Sequence, residues 1–370
     1  MSDKNQQKIL LAGGGTAGHV EPALATANWL KENSPDLICE FVGTLSGLET
    51  SLVPLSGFTL HTIKKAALPR KFSLQSIAWP FRFLQSLSGA RKALAGIDLV
   101  IGFGGYVCAP IYVMARMRKI PILIHEANAH PGWANHLGVR LGGEPLISFE
   151  KSREFGAAWK TAKNVGIPLR KEICTVAQFE SRDRLAIRIR KAAEWGFNPE
   201  KPIVLVFGGS LGSQHINKVL SEALPLICKS GIQVVHGVGK NNPLPASFLN
   251  YKPVSYFSDM HEAYAAADLV ISRSGAVTCH ELGVIGTYAL LIPLSVGNGE
   301  QRFNGEALVA EGAATMISSE EFTSRWLTDH LLGLLATAKE RTSGDGKILF
   351  PLDAAEKIGK RIVEKVGVGK

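Results

Sequence analysis

The stretch from Ile9 to Pro22 reads ILLAGGGTAGHVEP: an apolar run, three glycines, then the opening of a helix. Far downstream the grammar repeats. Ile203 to Gln214 reads IVLVFGGSLGSQ, again an apolar run, a Gly-rich turn and a helix start. Short apolar runs that alternate with helical segments imply parallel strands covered on both faces. Because the pattern starts twice, the fold class read here is α/β, with two doubly wound sheets.

Working outward, Ile9–Ala12, Cys39–Val42, Leu99–Phe103 and Ile122–Ile124 read as strands, and Pro22–Glu32 as a helix with Pro22 in its first turn. In the second half Arg182–Trp195 and Gln214–Ile227 read as helices. Ile203–Phe207, Val234–Val235, Val254–Phe257, Leu269–Ser272 and Leu290–Pro293 read as strands. The expected domains are 1–168, 169–349 and a C-terminal segment 350–370, whose helix Ala354–Val366 packs back on the first domain. In open parallel sheets ligands bind at the carboxyl ends of the strands.

The chain has 370 residues, 46% hydrophobic and 20% charged, which is a globular profile, and a length that favours two cores over one. A formal net charge of +9 favours an anionic partner: nucleic acid, an anionic membrane face or a polyphosphate substrate. Five widely spaced cysteines, with no C-x-x-C, argue against a disulfide framework or a zinc site and for a reducing compartment. The uncharged stretch Leu282–Gly299 is broken by glycines and Pro293, and the apolar run after Lys8 is cut by Gly13. Neither a membrane span nor a signal peptide is expected, which places the chain in the cytoplasm.

Three chemistries compete for the Gly-rich turns. Gly13–Gly18 satisfies the G-x-G-x-x-G of dinucleotide binding, but the acidic residue that should end the second strand is absent, Glu40 standing at its start. Gly208–Gly212 satisfies the G-x-S-x-G of serine hydrolases, with Asp268 and His280 following in hydrolase order. The third reading is a phosphate loop carrying the Ser210 hydroxyl. His19, at a helix start that disfavours its protonated form, suits a general base, and Glu126 is a second candidate. No cluster has metal-ligand spacing. From Lys64 to Lys92 no acidic residue occurs, and basic residues interleave with Phe72, Ile77, Trp79, Phe81 and Phe83, a pattern that suits an anionic bilayer surface and equally a core-packing helix with a solvated basic rim. RNA ranks last, since no nucleic-acid motif accompanies the charge.

Seven stretches in one order then carry a resemblance: Gly14–Pro22, Gly102–Tyr106, His125–Asn128, Gly166–Arg170, Gly208–Ser210, Ser272–Thr278 and Glu300–Asn304. Together they resemble, along nearly the whole chain, the MurG family of N-acetylglucosamine transferases in bacterial cell-wall synthesis. The resemblance implies the GT-B architecture, two Rossmann-like domains with parallel sheets facing a deep cleft. It implies UDP-N-acetylglucosamine as sugar donor and a lipid-linked muramyl-pentapeptide as acceptor, with inversion, no cofactor, no nucleic acid, and work at the cytoplasmic face of the membrane.

Carried over, the sugar-donor residues are Thr16, Ala17, Gly18, Asn128, Arg170, Ser210, Phe257, Ala276, Val277, Thr278, Glu281, Glu300, Gln301 and Asn304. Glu281 is implied to hold the ribose, and Gln301 the sugar. Gly104, Gly105, Tyr106 and Asn135 are implied on the acceptor side, with His19 as base; Asn128 also faces that side. The chain departs from the family pattern at Ala17, Leu211 and Glu300, where Gly, Gln and Gln are common.

Overall fold

A computed structural model of the protein describes residues 6–65, 74–240, 242–295, 299–342 and 348–367. The chain divides into two compact units, residues 1–170 with 351–370, and residues 171–350.

Unit 1 runs β1 (Lys8–Ala12), α1 (Ala17–Asn33), β2 (Ile38–Thr44), α2 (Glu49–Leu55), β3 (Thr59–Ile63), α3 (Leu74–Ala93), β4 (Leu99–Gly102), α4 (Cys108–Met117), β5 (Ile122–Glu126), α5 (Trp133–Arg140), β6 (Glu144–Ile147), α6 (Ala157–Lys160) and β7 (Lys163–Asn164). Its sheet order is β3-β2-β1-β4-β5-β6-β7, every pairing parallel. The apolar runs form strands because both faces are covered. Leu10, Ala12 and Val100 pack with Ile111, Tyr112 and Ala115 of α4. Their neighbours Ile9, Leu11 and Leu99 pack with Leu24, Ala27 and Leu30 of α1. This alternation of faces along a pleated strand gives each sheet two buried layers.

Unit 2 runs α7 (Lys171–Ala177), α8 (Ser181–Trp195), β8 (Ile203–Phe207), α9 (Gln214–Lys229), β9 (Gln233–Gly237), β10 (Tyr251–Val254), α10 (Met260–Ala266), β11 (Leu269–Ser272), α11 (Ala276–Ile285), β12 (Ala289–Leu291), α12 (Glu300–Ala310), β13 (Ala314–Met316) and α13 (Ser324–Thr342). Its all-parallel order is β10-β9-β8-β11-β12-β13. The chain closes with α14 (Ala354–Val366) in unit 1, against α1. There Ile358 and Ile362 are fully buried, and Gly359 lies so close to the Trp29 ring that a Cβ would overlap it.

In both sheets the strand order reverses beside the strand that feeds the Gly-rich turn, between β1 and β4 and between β8 and β11. Those switch points open toward the strand carboxyl ends, where ligands bind in open α/β sheets.

The structure corrects three spans. The first helix begins at Ala17, so Pro22 lies in its second turn, and its ring nitrogen cannot donate back to Gly18. The strand expected at Val254–Phe257 is Tyr251–Val254, set by register with Val234–Gly237. The strand expected at Leu290–Pro293 stops at Leu291, one backbone bond from Ile292 to Ser272 continuing the ladder.

Candidate active site

In unit 1 the first Gly-rich turn is held from several sides. The His19 Nδ1 lies 3.2 Å from the Gly14 carbonyl oxygen and 3.3 Å from the Thr16 hydroxyl. A carbonyl only accepts, so Nδ1 carries the proton and Nε2 presents its lone pair. Burial pushes the imidazole below its ordinary pKa of 6.5, against the opposing pull of the Gly14 carbonyl and the charges of Glu126 and Glu49. Gly104 and Gly105 pass over the ring: at Gly105, with φ +87°, a Cβ would sit 2.7 Å from the Gly14 oxygen. Tyr106 follows, half-buried.

Glu126 ends β5, nearly fully buried. One oxygen accepts from the Asn128 N–H at 2.9 Å and its side-chain amide at 3.2 Å. The other accepts from the Gly132 N–H at 2.9 Å and Asn135 Nδ2 at 2.8 Å. Four hydrogen bonds make this carboxylate the organiser of the 128–132 loop and the start of α5, and they count against its expected role as alternative base. Asn135, expected to face the acceptor, is instead buried, with its amide between Glu126, the His125 carbonyl and the Tyr112 hydroxyl. A buried amide with both ends engaged positions its neighbours. His125 is also buried and held near pKa 4 by desolvation, its Nε2 2.9 Å from the Gly166 carbonyl.

The expected membrane segment divides. Phe72 lies outside the described residues, as does the side chain of Ile77. Phe81 and Leu84 are 70% and 61% exposed, and Arg82, Arg91 and Lys92 are exposed around them. Phe83 turns the other way: it packs on the unit 1 core, with Trp79 stacked on it at 5.1 Å. Helical spacing sends Phe81 and Phe83 to different faces. Among the described residues no helix is long and apolar enough to cross a membrane.

In unit 2 the second Gly-rich turn leads into α9, whose N-cap Ser213 accepts from the Ile216 N–H. Ser210 is half-buried in this turn and Leu211 is 60% exposed. Arg273 braces the region from beneath. Its guanidinium donates to the carbonyls of Ile292 and Pro293 and to the hydroxyls of Ser319 and Ser213, which ties β11, β12 and α9 together. Next, α11 starts at Gly275 without a side-chain cap, so the N–H groups of Ala276, Val277 and Thr278 suit an anion. Glu281, 6% exposed in the second turn of α11, accepts from the Tyr264 hydroxyl at 2.9 Å. Asn304 is buried and donates to the Ser274 carbonyl, which joins α12 to the same turn. Gln301 accepts from the Leu294 N–H, beside Glu300 at the start of α12. Phe257 buries its ring over Gly237 at the end of β9.

The structure thus groups Ser210, Phe257, Ala276–Thr278, Glu281, Glu300, Gln301 and Asn304 at the carboxyl ends of one sheet. Thr16, Ala17, Gly18 and Asn128 belong to unit 1 with His19, and Arg170 closes the first segment of that unit. Among the described residues no group of three or more His, Cys, Asp or Glu could hold a metal ion.

The geometry removes both rival enzymes. Asp268 precedes β11, where its carboxylate accepts from the Ile203 N–H at 2.7 Å and Arg188 at 2.9 Å. Ser210 follows the other end of β8, about 16 Å away for a five-residue strand. His280 points Nδ1 at the Ala276 carbonyl and stacks on Phe350. Ser210, His280 and Asp268 therefore form no relay. In unit 1 Glu40 is paired with Lys8 and His61, not set to take a ribose. The Gly15 N–H, which a dinucleotide phosphate would use, donates to the buried carboxylate of Glu49.

Comparison with known proteins finds relatives along nearly the whole chain. The glycosyltransferase family 28 N-terminal domain matches residues 9–141, and the family 28 C-terminal domain matches residues 203–357. A UDP-N-acetylglucosamine–N-acetylmuramyl-(pentapeptide) pyrophosphoryl-undecaprenol N-acetylglucosamine transferase from Thermobifida fusca is 40% identical over 361 residues, 96% of this chain and 90% of its own. The enzyme of the same name from Corynebacterium diphtheriae is 44% identical over 321 residues, 86% of this chain and 85% of its own. The crystal structure of Acinetobacter baumannii MurG superposes with a TM-score of 0.69 at 26% identity, covering 97% of this chain and 99% of that one. The chain belongs to the MurG family. It has the GT-B fold of that family. A UDP-GlcNAc 2-epimerase from Neisseria meningitidis, at 16% identity and TM-score 0.62 over 97% of this chain and 100% of that one, shares the fold alone.

Sequence reasoning missed Glu49, Tyr264 and the bracing role of Arg273. Glu49 reaches the Gly15 N–H 34 residues away, Tyr264 a carboxylate 17 residues away and Arg273 partners 19 to 60 residues away, so no local motif announces these contacts.

Proposed function

We propose that this chain transfers N-acetylglucosamine from UDP-N-acetylglucosamine to the C4 hydroxyl of the lipid-linked N-acetylmuramyl-pentapeptide of peptidoglycan synthesis. The observation that carries this reading is 40% and 44% identity, over 96% and 86% of the chain, to transferases named for that reaction. Unit 2 takes the sugar donor: the uncapped start of α11 and Ser210 suit the diphosphate, Glu281 the ribose, and Gln301 the sugar. Phe257 offers its backbone to the uracil.

Unit 1 takes the acceptor. The C4 oxygen attacks the anomeric carbon as the bond to the UDP oxygen breaks, and its electron pair leaves with UDP. His19 Nε2 receives the hydroxyl proton. We assign the base to His19 in preference to Glu126 because the Gly14 carbonyl fixes the required tautomer, while the Glu126 oxygens are engaged. A direct displacement inverts the α-linked donor to a β product. Negative charge on departing UDP is met by helix-start N–H groups and Arg170.

The acceptor is a lipid, and the exposed Phe81 and Leu84 among basic residues on α3 suit peripheral attachment to an anionic cytoplasmic leaflet.

The test is UDP release from UDP-N-acetylglucosamine, with and without lipid-linked muramyl-pentapeptide, in EDTA. Acceptor-dependent release is expected to survive the chelator. A folded protein that releases no UDP with acceptor present overturns the proposal.

A further inference from the structure

The carboxylate of Glu49, at the start of α2, is fully buried and completely enclosed. One oxygen accepts from the Thr44 N–H at 2.7 Å and the Thr44 hydroxyl at 2.9 Å, and the other from the Gly15 N–H at 2.9 Å. Three glycines, Gly14 from the first Gly-rich turn and Gly43 and Gly47 from the end of β2 and its connection to α2, wrap it so closely that a Cβ on any of them would strike the Glu49 side chain. Burial alone would raise the pKa of this carboxyl, but hydrogen bonds from Thr44 and Gly15 overcome it and hold it ionised. A charge buried at this cost, in a slot made of missing side chains, is tied to the turn it grips.

That turn fixes His19. Glu49 holds the Gly15 N–H, Gly15 follows Gly14, and the Gly14 carbonyl holds His19 Nδ1. We propose that Glu49 is a positioning residue for the acceptor-side base, fixing the Gly14 carbonyl against His19 and supplying negative charge that stabilises the imidazolium formed when Nε2 takes the acceptor proton. The inference rests on the reading of His19 as the base. Two anionic groups act on the ring, Glu126 from the end of β5 the more strongly and Glu49 from α2 the less. Glu126 spends its oxygens on its own loop, whereas Glu49 grips the turn that carries the ring's hydrogen-bond acceptor.

The experiment compares Glu49→Gln, Glu49→Asp, His19→Ala and the double variant His19→Ala with Glu49→Gln, using the full chain and lipid-linked acceptor. It reads kcat, KM for UDP-N-acetylglucosamine, and kcat/KM against pH. Glu49→Gln is expected to lower kcat about tenfold or more, leave the sugar-donor KM within about twofold, and move the acidic limb to lower pH. Glu49→Asp keeps the charge and is expected to retain the wild-type midpoint with a smaller loss of rate. In the His19→Ala background Glu49→Gln is expected to add less than about twofold, since both act through one group. An unmoved acidic limb, or an equal loss in both backgrounds, overturns the positioning role and leaves Glu49 as scaffold only. Wild-type turnover in His19→Ala instead overturns the base assignment itself, a separate outcome.

Discussion

His19 Nδ1 and the Gly14 carbonyl oxygen, five residues apart in sequence, face each other at 3.2 Å, so a turn carbonyl dictates which imidazole nitrogen is protonated. Replacing His19 by Ala is expected to lower kcat by about 10²–10⁴-fold while UDP binding is retained. Burial depresses the imidazole, so the base is neutral at lower pH than a free histidine. The acidic limb of kcat/KM is therefore expected to have its midpoint below 6.5, measured as rate against pH at subsaturating acceptor.

The separation of Asp268 from Ser210 predicts an inert serine. Ser210→Ala is expected to raise the sugar-donor KM while retaining measurable transfer, and a fluorophosphonate probe is expected to leave the wild-type protein unlabelled. Stoichiometric labelling at Ser210 contradicts this.

Tyr264 donates to Glu281 and fixes one of its oxygens. Tyr264→Phe removes that bond, worth about 1 kcal/mol, or several-fold in the KM for UDP-N-acetylglucosamine. Glu281→Gln is expected to cost more. Titration of UDP into each variant checks the order.

The C-terminal helix is pinned through charge and shape. Glu144 receives Arg361 in a two-pronged pair and Lys365 at 2.8 Å, and these partners hold its carboxyl at about 2. A depressed folded pKa gives stability that is fully present above the ordinary value of 4.5 and is lost as pH falls toward 2. Docking of α14 should weaken over that window, and Glu144→Gln should show the loss at neutral pH, roughly 1 kcal/mol after solvent screening. Gly359→Ala, favourable in an isolated helix by about 1 kcal/mol, should destabilise here because the methyl meets Trp29. Hydrogen exchange along α14 measures all three.

Phe81→Ser with Leu84→Ser should leave the melting temperature unchanged and reduce binding to anionic vesicles, whereas Phe83→Ser should lower the melting temperature, because Phe83 packs on the core. Equal vesicle binding by wild type and the Phe81, Leu84 variant overturns the attachment proposal.

The central strands were legible because they are buried on both faces and therefore written as unbroken apolar runs, such as Ile203–Phe207. The edge strands β3 and β7 were not, since Thr59–Ile63 is half-exposed and Lys163–Asn164 is polar, so neither carries an apolar run. The Gly-rich turns and the helix starts after them could be read locally, because a turn needs its glycines at fixed offsets. Sequence alone therefore determined two doubly wound sheets, the family, and the residues placed at strand carboxyl ends. It left open what each group does, since Glu126, Asn135 and Phe83 look like accessible functional residues in a string. Only the tertiary structure decided that Glu126 and Asn135 brace each other, that Phe83 faces inward and that Asp268 stands at the amino ends of the strands, opposite Ser210 at their carboxyl ends. It also brought Glu49 into a cage of glycines around the turn that holds His19. Hydrogen-bond partners dozens of residues apart in the chain become neighbours only when parallel strands align, and no local pattern encodes that alignment.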